Sequence, residues 1–285
     1  MSLYFSSFAS GSSGNCYMIK SESTIILVDV GIAGKHILSG LSRHGFKAKD
    51  IDGILVTHEH VDHVRSIRML GKKSENANIY SSGGTFEQIA DRISEERTVI
   101  VSADENFTIG DMEILPFDLS HDAAEPLGFT FEKYDVKLSV CTDFGMITDE
   151  IKEGLRGSNA MVIEANHDEM LEKMVESDLL VLEANHEVNI LRMGSYPFSL
   201  KQRILGNEGH LSNETAANAL CHVLKELKGR KVPKVMLAHL SRENNTPQHA
   251  FLTINNMLFE EDFMEGKDYE MSVIPRNEVS DLIEI

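Results

Sequence analysis

Four residues able to bind metal crowd into one short stretch of this chain, Thr57-His58-Glu59-His60-Val61-Asp62-His63. Neutral imidazole and carboxylate are ligands for zinc, manganese or iron. Two histidines spaced two apart at the end of a strand can turn their rings toward one point. Asp62 and His63, opening the helix that follows, reach a second point nearby. The competing reading is a polar loop whose side chains share no target. With only 12 histidines in 285 residues, such a concentration favours metal binding.

Two metal positions need further ligands, and three candidates share one placement, at the C-terminal end of a β-run. His121 stands in Leu119-Ser120-His121-Asp122-Ala123, Asp143 in Cys141-Thr142-Asp143-Phe144-Gly145, and His239 after the apolar run Val235 to Ala238. A lone histidine is more often structural than ligating, yet three at one sheet edge can converge. The expected sets are His58, His60 and His121 on one ion, Asp62, His63 and His239 on the other, with Asp143 bridging. Such a pair of cations acidifies a shared water and stabilises charge on substrate oxygens, so hydrolysis needs no protein nucleophile. Asp62 would help orient the water. Lactones, thioesters and phosphodiesters all suit this chemistry.

These residues require a scaffold that ends many strands along one rim. The opening reads as strands Leu3 to Ala9, Cys16 to Lys20 and Thr24 to Val28, broken by the tight segment from Ser10 to Asn15. That segment reads as a hairpin turn, or as backbone N–H groups offered to a phosphate. A helix from about Ala33 to His44 and a short strand Ile54 to Thr57 follow. The middle is strand-rich (Met112 to Phe117, Gly128 to Lys133, Lys137 to Thr142). The second half alternates strands at Leu179 to Glu183, Lys234 to Ala238 and Tyr269 to Val273 with helices at Phe198 to Leu205, Asn213 to Lys228 and Gln248 to Phe259. Two strand-rich blocks finished by helices predict an α/β protein, sheet on sheet with helices outside, and residues 1–285 as one domain. A near-repeat interrupts the pattern: Ser158 to Met174 matches Ser177 to Met193 at an offset of 19, sharing Glu-Ala-Asn-His. A local duplication explains it, with one copy functional and the other accommodated nearby.

Composition sets the remaining bounds. The formal charge of −18 argues against coating nucleic acid by charge alone. Local basic patches run the other way: Arg65, Arg68, Lys72 and Lys73; Arg192, Lys201 and Arg203; Lys228, Arg230, Lys231 and Lys234. Any one of these can also be read as a solvated helix face. Three scattered cysteines form neither a disulfide framework nor a cysteine zinc cluster. No apolar run approaches membrane-spanning length and the start lacks a signal-peptide pattern, so a cytoplasmic protein without membrane contact is expected.

Together with the histidine-rich loop, His121, Asp143 and His239, the segment Leu27-Val28-Asp29-Val30-Gly31 resembles the metallo-β-lactamase superfamily over most of the chain. The resemblance implies a four-layer αββα sandwich, a structural role for Asp29, and two divalent ions, manganese or zinc, with iron also admitted. Ribonuclease Z is similar in its later motifs, which places a glutamate ending a strand, a histidine opening a helix and a ligating histidine at Glu183, His210 and His239. A carboxylate at Glu183 would hold the His210 imidazole and favour its protonated form, able to contact a phosphate or protonate a leaving alkoxide. The plainer alternative makes His210 a helix-start residue beside the cap Ser212.

A narrower resemblance is carried by Ser10 to Cys16 (SGSSGNC), His58 to His63, Leu119 to Ala123 (LSHDA), Leu180 to His186 (LVLEANH), Tyr196 to Leu205 (YPFSLKQRIL), Gly209 to Asn213 (GHLSN) and Ala238 to Asn244 (AHLSREN). These blocks resemble the YycJ/WalJ-type branch. That implies a manganese- or zinc-dependent exonuclease acting on DNA from 5′ ends, linked to DNA mismatch repair and, by gene neighbourhood, to cell-wall two-component signalling. It also implies mismatch-repair or replication proteins as partners. The Glu183 to His186 copy precedes the remaining blocks and takes the functional assignment, with Glu164, Asn166 and His167 left open. Tyr196 to Arg203 is read either as a base-stacking surface with phosphate-binding cations or as a helix with its aromatics in the core. Two other functions stand beside the nuclease: a thioester or lactone hydrolase on the same fold, and a non-enzymatic accessory of a signalling system.

Overall fold

Buried apolar strands dominate the chain, and their lengths and edges decide where the functional loops emerge. The structure is a computed structural model that describes residues 2–11, 13–164, 174–206, 209–274 and 278–285. Contacts divide it into two compact units, one of residues 1–139 with 275–285 and one of residues 140–274.

The first unit begins with β1 (Tyr4–Ala9), β2 (Cys16–Lys20) and β3 (Ile25–Val28), followed by α1 (Gly34–Arg43), β4 (Gly53–Leu55), α2 (Val61–Val64), α3 (Ile67–Lys73), β5 (Asn78–Ser81), α4 (Gly83–Ile89) and β6 (Thr98–Ile100). Here β1, β2 and β3 pair antiparallel, then β3, β4, β5 and β6 run parallel, and the last strand, Ile283–Glu284, edges β1. All four residues of β3 and all three of β4 are buried, the apolar run expected of parallel strands covered on both faces. Helix α1 meets the core with Ile37, Gly40 and Leu41, spaced for one helical face. Three further strands, β7 (Phe107–Ile109), β8 (Met112–Asp118) and β9 (Leu127–Lys133), form an antiparallel meander.

Strand β10 (Val136–Cys141) leads into the second unit, which continues with α5 (Asp149–Leu155), β11 (Ala160–Ile163), β12 (Leu179–Glu183), α6 (Val188–Met193), α7 (Phe198–Leu205), α8 (Asn213–Leu227), β13 (Lys234–Ala238), α9 (Pro247–Glu260) and β14 (Glu270–Val273). Strands β11 to β14 are parallel neighbours in chain order. Helix α8 starts at Ser212, whose Oγ accepts from Thr215 N at 3.0 Å, and α9 starts at Thr246, whose Oγ1 accepts from His249 N at 3.1 Å.

The near-repeat has a structural meaning. Ala160 pairs with Leu179 and Ile163 with Leu182, which is the repeat's own offset, so the two copies lie side by side as β11 and β12. Glu164 and Glu183 therefore end adjacent strands. Asn166 and His167 of the first copy lie outside the described residues.

Candidate metal and catalytic centre

In the first unit, backbone contacts lace three sequence motifs together. Asn15 N–H donates to Asp62 O, Gly31 N–H to Asn15 O and Val30 N–H to His63 O, each at 2.8 Å. A Cβ on Gly31 would fall 1.5 Å from Asp62 O, so only glycine permits this approach. The Ser10-to-Asn15 turn thus buttresses the histidine loop, with Asn15 Nδ2 3.1 Å from His63 Nε2.

Asp29 explains the loop's orientation. It is fully buried at φ 57°, a left-handed conformation uncommon outside glycine. Its Oδ1 accepts from Thr57 N at 2.9 Å and its Oδ2 lies 2.7 Å from His63 Nδ1. A carboxylate on Nδ1 selects the tautomer whose lone pair sits on Nε2, the arrangement that surrounds many ligating histidines. Thr57 Oγ1 lies 3.0 Å from His58 Nδ1, so a second ring is oriented by the same residue pair.

His58, His60 and His121 come together, with ligand nitrogens all within 4.8 Å of one another. His58 Nε2 stands 3.1 Å, and His121 Nε2 3.3 Å, from His60 Nδ1. Three converging imidazoles fit a borderline cation such as zinc. His121 is held indirectly: Glu59 Oε1 accepts from Ala124 N at 2.8 Å, pinning the loop that carries it. Nothing in the sequence distinguished Glu59 or Asn15 from ordinary loop residues. Asp62 is partly exposed, with Oδ2 3.9 Å from His63 Nε2.

The second unit assembles another group. Asp143, Glu164 and His239 offer ligand atoms within 4.8 Å of one another, as do Glu183, His210 and His239. Asp143 (φ 51°) and His239 (φ 54°) repeat the left-handed backbone of Asp29, each just past a strand end. His239 Nδ1 lies 3.2 Å from both Glu164 Oε2 and Glu183 Oε1. Burial pushes its pKa down, but the charges of Glu164 and Glu183, with that of Asp143, more than offset this and raise it to about 10. In its neutral form the same geometry presents Nε2 as the ligating atom. Glu164, left open by the sequence, thus stands equal with Glu183 at this imidazole.

Glu183 is fully buried and does several tasks at once. Its Oε1 is 2.8 Å from His210 Nδ1, and its Oε2 accepts from Leu211 N at 2.9 Å. His210 precedes α8 rather than forming part of it, with its side chain 38% exposed, so one edge of the ring reaches solvent. Asn185 Nδ2 donates to His239 O at 2.9 Å and Ala184 N–H to Ala238 O at 2.9 Å, fastening the Glu-Ala-Asn-His segment to the β13 end.

A family model described as "Beta-lactamase superfamily domain" matches residues 24–239. The chain belongs to this superfamily. It is accordingly a metal-dependent hydrolase with the metallo-β-lactamase fold, as its sequence resemblance implied. Members similar to it include "Exodeoxyribonuclease YycJ" of Bacillus anthracis, 35% identical over 95% of each chain. "Exodeoxyribonuclease WalJ" of Streptococcus pneumoniae is also 35% identical, over 94% of this chain and 92% of that one. Among solved structures, the metallo-beta-lactamase fold protein YhfI from Bacillus subtilis aligns with a TM-score of 0.63 at 15% identity, covering 98% of this chain and 99% of that one. Among the described residues, no helix is long and apolar enough to cross a membrane.

Proposed function

We propose that this superfamily member is a dinuclear-metal phosphodiesterase that degrades DNA from 5′ ends. The observation that carries the reading is 35% identity, along nearly the whole length of both chains, to a protein named an exodeoxyribonuclease. One cation would be held by His58, His60 and His121, the other by Asp62, His63 and His239, with Asp143 shared. Manganese or zinc suits these nitrogen and oxygen donors, and iron is admissible. Bound there, the cations would acidify water and neutralise charge on phosphate oxygens.

The chain's own groups supply the rest. Asp62, partly exposed beside His63, orients the attacking water. The buried Glu183 carboxylate holds His210 at Nδ1, so the solvent-facing edge of the ring is oriented to contact the scissile phosphate or to serve as the acid for the departing 3′ oxygen. A thioester or lactone hydrolase has no need of this pair. The family match spans residues 24–239 without interruption, which supports reading residues 1–285 as one functional domain. The proposal extends to a cytoplasmic DNA-repair role with mismatch-repair or replication proteins as partners, as the resemblance read from the sequence implies.

The test compares hydrolysis of bis(p-nitrophenyl) phosphate and of a thioester by manganese- or zinc-reconstituted protein. The phosphodiester should be cleaved and the thioester spared, with Asp62→Ala and Asp143→Ala abolishing turnover. Thioester hydrolysis with the phosphodiester left intact would move the assignment to the small-molecule reading.

A further inference from the structure

The segment from Arg192 to Leu205 has a surface that its fold does not explain. Helix α7 buries none of its residues. Phe198 is 77% and Met193 88% exposed, and Leu200 and Leu205 are each 37% exposed. Of the two readings of its aromatics, the one that put them in the core does not hold for Phe198. Met193, Phe198, Leu200 and Leu205 put four exposed apolar side chains within one short segment, a candidate contact surface.

Charge indicates what makes the contact. The whole chain carries −18, yet no acidic residue occurs between Glu187 and Glu208, while Arg192, Lys201 and Arg203 fall within that stretch. Lys201 Nζ donates to Arg192 O at 2.8 Å and Gly194 O at 2.7 Å, so it staples the preceding turn to the helix. Arg192 and Arg203 are exposed. Exposed cations in the same short stretch as an exposed ring match a polyanion with flat apolar faces.

The segment is also tied to the catalytic pair. His210 N–H donates to Ile204 O at 3.2 Å, and a Cβ on Gly209 would lie 2.1 Å from that same oxygen. Glycine at 209 therefore lets the last turn of α7 rest directly on the loop segment that presents His210.

We infer that α7 is the platform for the single-stranded terminal nucleotides of the DNA substrate, with Phe198 stacking on a base and Arg192 and Arg203 meeting the phosphates that lead to His210. Stacking on an aromatic ring tolerates every base, as a nuclease without sequence preference requires. The inference rests on the nuclease reading and specifies how that enzyme selects frayed or overhanging ends.

Metal-loaded wild type, Phe198→Ala, Phe198→Trp and Arg203→Ala are assayed on 5′-overhang DNA and on bis(p-nitrophenyl) phosphate. For Phe198→Ala the ratio of DNA to reporter kcat/KM should fall roughly tenfold, through KM for DNA, and Phe198→Trp should restore it. For Arg203→Ala the logarithmic salt slope of oligonucleotide binding should lessen by about 0.7. Wild-type ratios and salt slopes in all the variants would overturn the platform while leaving the nuclease standing. Wild type that hydrolyses the reporter but spares DNA would remove the nuclease reading and the platform with it. Binding to anionic vesicles that Phe198→Ala abolishes, with unchanged DNA digestion, would assign the surface to a membrane instead.

Discussion

At His239 two carboxylates compete for one ring nitrogen, and the competition sets unequal expectations for their removal. Glu183 holds His210 and Leu211 as well as His239, so its carboxylate serves the second histidine and the loop that carries it. Glu183→Gln should lower activity roughly 10- to 100-fold, the usual effect of losing a group that orients a ligand. Glu164→Gln leaves the Glu183 contact in place and should cost several-fold at most. Steady-state kinetics alongside metal content measure both, and equal losses would contradict the division of labour. His186 offers a separate expectation. It is 1% exposed, neither ring nitrogen has a hydrogen-bond partner among the described residues, and burial lowers its pKa from 6.5 to about 4. Protons therefore favour the unfolded chain. Stability that His186 permits above pH 6.5 declines as pH falls toward 4, by up to about 3 kcal/mol. In metal-free protein, His186→Gln should flatten that part of the stability-against-pH curve, read by urea unfolding at successive pH values.

Elements with strong periodicity were legible in the chain. The buried runs of β2, β12 and β13 and the capped helix α8 follow from apolar patterning and the Ser212 signal. The histidine loop, His121, Asp143 and His239 could be singled out because each follows such a run. Several of the short elements were not legible. Strands β7 and β11 and helices α2, α5 and α6 have three to seven residues each, too few to show a period, and tertiary packing decides them. Glu59 and Asn15 escaped because their work is done through backbone partners far away in sequence. The duplication was visible, but only strand pairing shows Glu164 brought level with Glu183. The interlock of motifs gives the expectation at this scale. Gly31→Ala drives a methyl group into the Asp62 carbonyl and must push α2 away from Asn15. It should destabilise the protein by about 3 kcal/mol and strip metal from the histidine loop. Thermal melting and elemental analysis report on the two effects, and a variant with wild-type melting and full metal content would refute the interlock.

For the molecule as a whole, the proposed DNA substrate would require a chain of charge −18 to concentrate its attraction locally. Divalent ions at the proposed centre and the Arg192-to-Arg203 stretch would provide that attraction, while the acidic remainder would discourage non-productive binding. The most direct measurement is digestion of duplex DNA labelled at either end by manganese- or zinc-reconstituted protein. Label at the 5′ end should leave as mononucleotide from the earliest times, label at the 3′ end should pass through a ladder of shortening fragments, and chelator should stop both. DNA that stays intact under conditions where the metal-loaded protein hydrolyses a thioester would contradict the account.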